Sequence, residues 1–186
     1  MNQAKMELFT AQKVNIICSE GDLLLRGAEG GTGDLLLVSS HVLGKASESF
    51  SRTFQTAPVP EHRSFAYTNE ITLPNDRGDA LLIICNILHG CDRNVPDTIP
   101  LDLLKAVAQT CNRHQLTRAL LAWSPTWLEH AFGLASRTER YVVITIAVDF
   151  GLYPTRNQLV PWHVQQSSIT ARHCLAGVIK LPFYLG

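Results

Sequence analysis

Two pairs of possible metal ligands stand close together in this chain, His89 with Cys91 and Cys111 with His114. Four such side chains are what a tetrahedral zinc site takes. Their spacing fits no standard finger, and Cys111 falls on an apolar helix stripe, so they read as core thiols and packing histidines. Glycines at 27, 30, 31 and 33 suggest a phosphate-cradling loop. The Gly-Lys-Ser/Thr ending is missing and an apolar strand follows, which makes a hairpin turn the better reading. Nucleophilic catalysis needs a Ser or Cys beside a base that a third group holds. Ser40 and Ser47 flank His41, but both are placed to cap helix starts. No Gly-x-Ser-x-Gly elbow occurs, and no acid and base pair at a recognisable spacing. The expectation is therefore no enzyme, no cofactor and no metal, with a small enzyme or zinc protein of unrelated fold kept as a rival.

The elements that would have to position any site are legible in the apolar pattern. Leu23-Leu24-Leu25 and Leu35-Leu36-Leu37-Val38, parted by the Gly-rich stretch, read as a hairpin of two buried strands. Ser39 or Ser40 can cap a first helix and Ser47 a second, on which Phe50 and Phe54 share a face at i, i+4. Pro58 and Pro60 force a loop, and Glu70 to Leu73 alternates as a strand that stops at Pro74. Asp76, three residues before Asp79, looks like the cap of a helix running through Leu81 to Leu88 and ended by Gly90. That helix is apolar almost all round, which places it centrally in the core. Leu101, Leu104, Ala108 and Cys111 draw the stripe of an amphipathic helix, opposed by Lys105, Gln109, Asn112 and Arg113. Another helix is expected over Leu116 to Trp123, ending before Pro125. Trp123 and Trp127 read as core or interface anchors. The stretch Tyr141 to Ile146 has the β-branched composition of a strand.

Composition narrows the partners. At 186 residues the chain has room for one core of ordinary size plus extensions. Sixteen basic residues balance sixteen acidic ones, which removes the long-range field that a nucleic-acid or anionic-membrane binder carries. No run approaches the roughly 20 apolar residues of a membrane span. Residues 1–10 show no secretory pattern, so an intracellular protein, nuclear or cytoplasmic, is expected. Five cysteines without framework spacing then read as free thiols.

Taken together, the pieces resemble a BTB (POZ) domain of the fungal type. Gly21-Asp22-Leu23 is similar to the family's opening strand, and Val38-Ser39-Ser40 with Val42-Leu43, Ala46-Ser47 and Phe50 to its strand-to-helix signature. Ile71-Thr72-Leu73-Pro74 resembles the strand that follows. Leu88-His89-Gly90, Val95-Pro96, Cys111 to Leu116, Trp123 and Trp127-Leu128 resemble the later helices. The chain departs from the family at Ser39, where many animal members carry a pocket histidine. It departs again at Asn112-Arg113-His114, a softer form of an Asp-Lys-Tyr-like run.

The resemblance implies an α+β fold, a small mixed sheet of short strands packed by a helical cluster, with a helical C-terminal extension. It divides the chain into a segment 1–20 for dimer exchange, a domain 21–122, and an extension 123–186. It favours a helix over the β-branched run at Tyr141. It also implies protein–protein interaction through homo- or hetero-oligomerisation, with a homodimer as the simplest form and Met6, Leu8 and Phe9 as the exchanged part. A second role, adaptor for a cullin-type ubiquitin ligase, is suggested by Val59-Pro60-Glu61, an apolar-x-Glu tripeptide in the loop after the second helix.

Overall fold

The computed structural model describes residues 14–28, 35–56 and 69–152. Its elements are β1 (Val14–Ile16), β2 (Leu23–Ala28), β3 (Leu35–Val38), α1 (Ser40–Ala46), α2 (Glu48–Thr56), β4 (Asn69–Arg77), α3 (Gly78–Leu88), a 3-10 turn (Asp92–Asn94), α4 (Leu101–Arg113), α5 (Ser124–Leu134) and α6 (Arg137–Asp149). The chain is thus α+β: a small mixed sheet with a cluster of helices. The two leucine runs pair antiparallel, Leu23 opposite Val38 and Leu25 opposite Leu36. β1 lies parallel to β3 and β4 parallel to β2, giving the order β1-β3-β2-β4. Because side chains alternate along a strand, Leu23, Leu25, Leu36 and Val38 enter the main core, while Leu24, Leu35 and Leu37 join Val14 in a smaller cluster on the other face. Burial on both faces explains the unbroken leucine runs.

The helices close the main core. α3 packs on β2, α1 and α4, and Leu81, Ile84 and Cys85 on it are fully buried, as its all-round apolar sequence predicts. α4 packs on α3 and α6, with Leu104, Val107, Ala108 and Cys111 buried and Lys105, Gln109 and Asn112 exposed. Trp127, Phe132, Val143, Ile146 and Phe150 lie in the same cluster as Leu25 and Leu43, so one core runs through residues on both sides of Trp123.

Three local expectations are corrected, and the helix that the resemblance favours over the β-branched run at Tyr141 is present. β4 does not stop at Pro74 but continues to Arg77: Gly27 of β2 faces Leu73 and Ala28 faces Arg77, so Pro74, Asn75 and Asp76 form a bulge. A bulge is where a strand tolerates proline, since no ladder donor is required there. Asp76 does not cap α3, whose N-cap residue, Arg77, makes no side-chain capping bond to the helix backbone; Asp76 turns inward instead. Residues 117–123 form turns rather than a helix, and Pro125 sits in the first turn of α5, where its missing N–H has no role. Tyr141 to Ile146 is helical. Ser136 and Glu139 make a reciprocal capping box, and Val143, Ile146, Ala147 and Phe150 form a buried i, i+3, i+4, i+7 stripe. The loop expected at Pro58 and Pro60, and the glycines at 30, 31 and 33, lie outside the described residues.

Two glycines answer to specific constraints. Gly90 has φ +69 beyond the end of α3, where its N–H bonds to the Ile87 carbonyl. Gly27 faces the bulge so closely that a Cβ there would stand 2.5 Å from Gly78 N and 2.7 Å from Asp76 O. Gly27→Ala is therefore expected to destabilise by about 1–3 kcal/mol or more, because backbone rather than a flexible side chain must move. Gly133→Ala, at an open helical position, should stabilise by about 0.4–1 kcal/mol. Urea melts giving the opposite order would mean that the bulge does not pass over Gly27. Leu43 and Ile84 have no exposed surface, and cutting either to alanine should cost about 2–5 kcal/mol. Losses under about 1 kcal/mol at both would mean that α1 and α3 do not meet in the core.

Candidate functional site

Among the described residues the one buried charge cluster is built by the bulge. Asp76, 2% exposed, receives hydrogen bonds from Thr110 Oγ1 (2.9 Å) and His114 Nε2 (2.8 Å), and Arg113 contacts the same oxygen as Thr110. All three partners come from the last turn of α4 and its C-cap. Burial pushes the Asp76 carboxyl up, but the hydrogen bonds and positive charge from His114, with Thr110 and Arg113, outweigh it and hold the group below its usual range. The other ring nitrogen of His114, Nδ1, stands 3.4 Å from Ser49 Oγ. The ring stacks on Phe50 with centroids 4.3 Å apart. Ser47 Oγ donates to the His114 carbonyl (2.6 Å) and accepts from Phe50 N.

Ser49, His114 and Asp76 thus have the identities of a catalytic triad, a grouping that their separation in sequence conceals. Its geometry is that of a structural lock. The Ser49 contact is at the far limit of hydrogen bonding, Phe50 covers a ring face, and the His114 side chain is 6% exposed. The serines that flank His41 have other duties: Ser40 Oγ donates to Asp22 Oδ2 (2.6 Å), Ser47 caps α2, and His41 itself is exposed.

The four candidate zinc ligands are dispersed over separate bonds. His89 Nδ1 lies 2.8 Å from the Cys85 carbonyl, and its Nε2 accepts from Ser39 N (3.0 Å). Cys91 Sγ contacts the Ile17 carbonyl, and Cys111 is fully buried. Burial pushes the thiols of Cys85 and Cys111 up to about 12, so both stay protonated and inert. Among the described residues no group of three or more His, Cys, Asp or Glu is arranged to hold a metal ion. Trp127 is a core anchor, its Nε1 donating to the Pro96 carbonyl (2.9 Å), and Trp123 stacks on it. Phe50 and Phe54 stack as their spacing predicts.

Surface features are the remaining candidates. Met6, Leu8, Phe9, Val59 and Glu61 all lie outside the described residues. Among the described residues Ile16 on β1, Leu134 at the end of α5, and Tyr141 and Val148 on α6 are large apolar side chains left exposed. Ile16 belongs, with Met6, Leu8, Phe9, Val14 and Ile17, to a first twenty residues too apolar for a solvated leader. Leu134 borders an open cleft of about 370 Å³ lined by Ile99, Pro100, His130 and Ala135. No described helix is long and apolar enough to cross a membrane. No protein-family model matches the chain, and no curated protein matches it either.

The lock predicts a pH dependence of known sign. A carboxyl held below its ordinary value of 3.8 contributes stability above that value and loses it as pH falls through the lowered pKa. Asp76→Asn should therefore cost on the order of 3 kcal/mol at neutral pH. The gap between wild type and variant should be flat above about pH 5 and shrink towards pH 3. Urea melts across that range check it; a gap that widens with acid would mean that Asp76 is not ionised in the folded chain.

Proposed function

We propose that this chain is a BTB (POZ)-type interaction module of the fungal kind, without catalytic chemistry, that works by self-association. The observation that supports the reading most is the order of elements. An antiparallel hairpin leads through a Ser-capped turn into two short helices, then a strand that joins the same sheet, then an apolar helix through the core. That is the order the resemblance implies, with β3, α1 and α2 falling on the residues that carry it. The buried, occupied state of the Ser49–His114–Asp76 group agrees with a fold that uses its polar chemistry for support.

Self-association draws on the apolar surface at the start of the chain. Ile16 on the terminal strand of the sheet is 46% exposed, and it follows Met6, Leu8 and Phe9 in sequence. A stable two-fold interface buries about 1,600 Å² in all, more than one side chain offers, so the segment before β1 must contribute. The protein should be a dimer or larger by light scattering at micromolar concentration. Deleting residues 1–13, which leaves β1 in place, or changing Ile16→Lys should shift it towards monomer. A wild type that is a clean monomer, with its mass unchanged by the deletion, would end this reading.

A further inference from the structure

Cys18 and Cys91 are far apart in sequence, yet Cys91 packs against the residue before Cys18 at the root of β1. The Cys91 sulfur lies 3.8 Å from the carbonyl oxygen of Ile17, the residue that precedes Cys18. Across a trans peptide that oxygen is about 2.8 Å from the next Cα, so the Cys91 sulfur is no farther than about 6.6 Å from the Cα of Cys18. One step between staggered χ1 wells moves a cysteine sulfur by about 3 Å. A disulfide needs that sulfur closer to the Cys18 Cα than this upper bound, by an amount that one such rotation covers.

Both backbones are held where they are. Ile17 N and Cys18 N each donate to the Leu37 carbonyl (3.1 Å), and Gly21 N donates to the Cys18 carbonyl (3.0 Å). Cys91 N donates to the Asn86 carbonyl (2.8 Å) and the Cys91 carbonyl accepts from Asn94 N (2.9 Å). Neither side chain is fully buried, in contrast to Cys85 and Cys111, whose thiols are closed off from solvent and protonated. Exposure and proximity therefore single out this pair among the four described cysteines.

We propose that Cys18 and Cys91 form a redox-linkable pair, converted to an intrachain disulfide by a low-molecular-weight disulfide such as oxidised glutathione. One thiol loses its proton and attacks the glutathione disulfide, forming a mixed disulfide and releasing one glutathione thiolate. The second thiol loses its proton and attacks the protein sulfur of that mixed disulfide, releasing the other. Two cysteines are oxidised, one glutathione disulfide is reduced to two thiols, and the two protons pass to them. The bridge would fasten the turn after β1 to the segment after α3, fixing the root of the N-terminal segment to its own protomer. The bond itself does not rest on the interaction reading; its effect on any exchange of that segment does.

The test uses the full-length protein, as an equal mixture of unlabelled and nitrogen-15-labelled chains, equilibrated in glutathione buffers of rising oxidised fraction, then alkylated and peptide-mapped. The expected product is a Cys18–Cys91 peptide pair within one isotopic population, formed also by Cys174→Ser. Cys18→Ser should leave Cys91 as a glutathione adduct only. Mixed adducts at both sites without a bridge, a link to Cys174 in preference, a bridge joining light to heavy chains, or no reaction at excess oxidant would each overturn the proposal. The oligomer's mass is read separately, so a protein that bridges yet stays monomeric keeps this inference and loses the interaction reading.

Discussion

The carboxylate of Asp76 is the constraint on which the rest of the described fold leans. An ionised carboxylate buried without partners costs several kcal/mol, so a chain that turns one inward has to supply donors at fixed positions. Here they arrive from one helix end, where Thr110, Arg113 and His114 converge on the two oxygens. Bonding through both oxygens fixes α4 against the bulge of β4 in rotation as well as distance. His114 carries the constraint on, since its ring lies on Phe50 and its carbonyl receives Ser47 Oγ. Strand, helix and the joint between α1 and α2 are registered through a single side chain. Arg77 does related work at the surface, bonding Asp79 at the start of α3 and Asp102 at the start of α4.

Elements that report themselves through local apolar periodicity were legible in the sequence. The hairpin, α1 with its Ser39 cap, α3 to Gly90, and the stripe of α4 each need only a few neighbouring residues to be recognised. What failed depended on residues distant in the chain. Asp76 and Asp79 have the spacing of a cap, and nothing local shows that three residues of β4 bulge out and turn Asp76 towards a histidine on another helix. Pro125 ends helices as often as it opens them, and the choice lay in whether residues 117–123 could form one. Tyr141 to Ile146 is a different case: the β-branched composition argued for a strand and the family resemblance for the helix that forms, and a local signal for it, Ser136 with Glu139 three residues on, stood just ahead. A capping box outweighs β propensity because it satisfies two otherwise unpaired N–H groups at a defined place.

The site was less legible than the fold for the same reason. Ser49, His114 and Asp76 come from three elements, His89 bonds Ser39 fifty residues away, and a reading that looks for chemistry at short spacing meets Ser40, His41 and Ser47 instead. The contact of Cys91 with Ile17, the residue before Cys18, likewise joins segments far apart in the chain, one after β1 and one after α3. Burial assigns the cysteines their roles. Of the four described, two are sealed in the core and two are partly exposed.

The helix ends bear on what kind of partner the described surface can meet. A helix N-terminus attracts anions unless something already occupies it. Asp22 accepts from Ser40 at α1, Ser47 caps α2, Asp79 accepts from Ala80 N at α3, Asp102 sits in the first turn of α4, and Ser136 with Glu139 closes α6. Five of the six described helices therefore have their positive ends answered from within the chain. Together with a formal net charge of zero, this leaves little field to steer a charged ligand. Association through Ile16, Leu134, Tyr141 or Val148 would be driven by removal of apolar surface from water, which acts only at contact. Unsteered docking of this sort proceeds at about 10⁵–10⁶ per molar per second, and its selectivity comes from shape and from how long the complex lasts. A salt-insensitive association rate is the kinetic signature that such a surface implies, and a rate that fell steeply with salt would point to charged residues beyond those described.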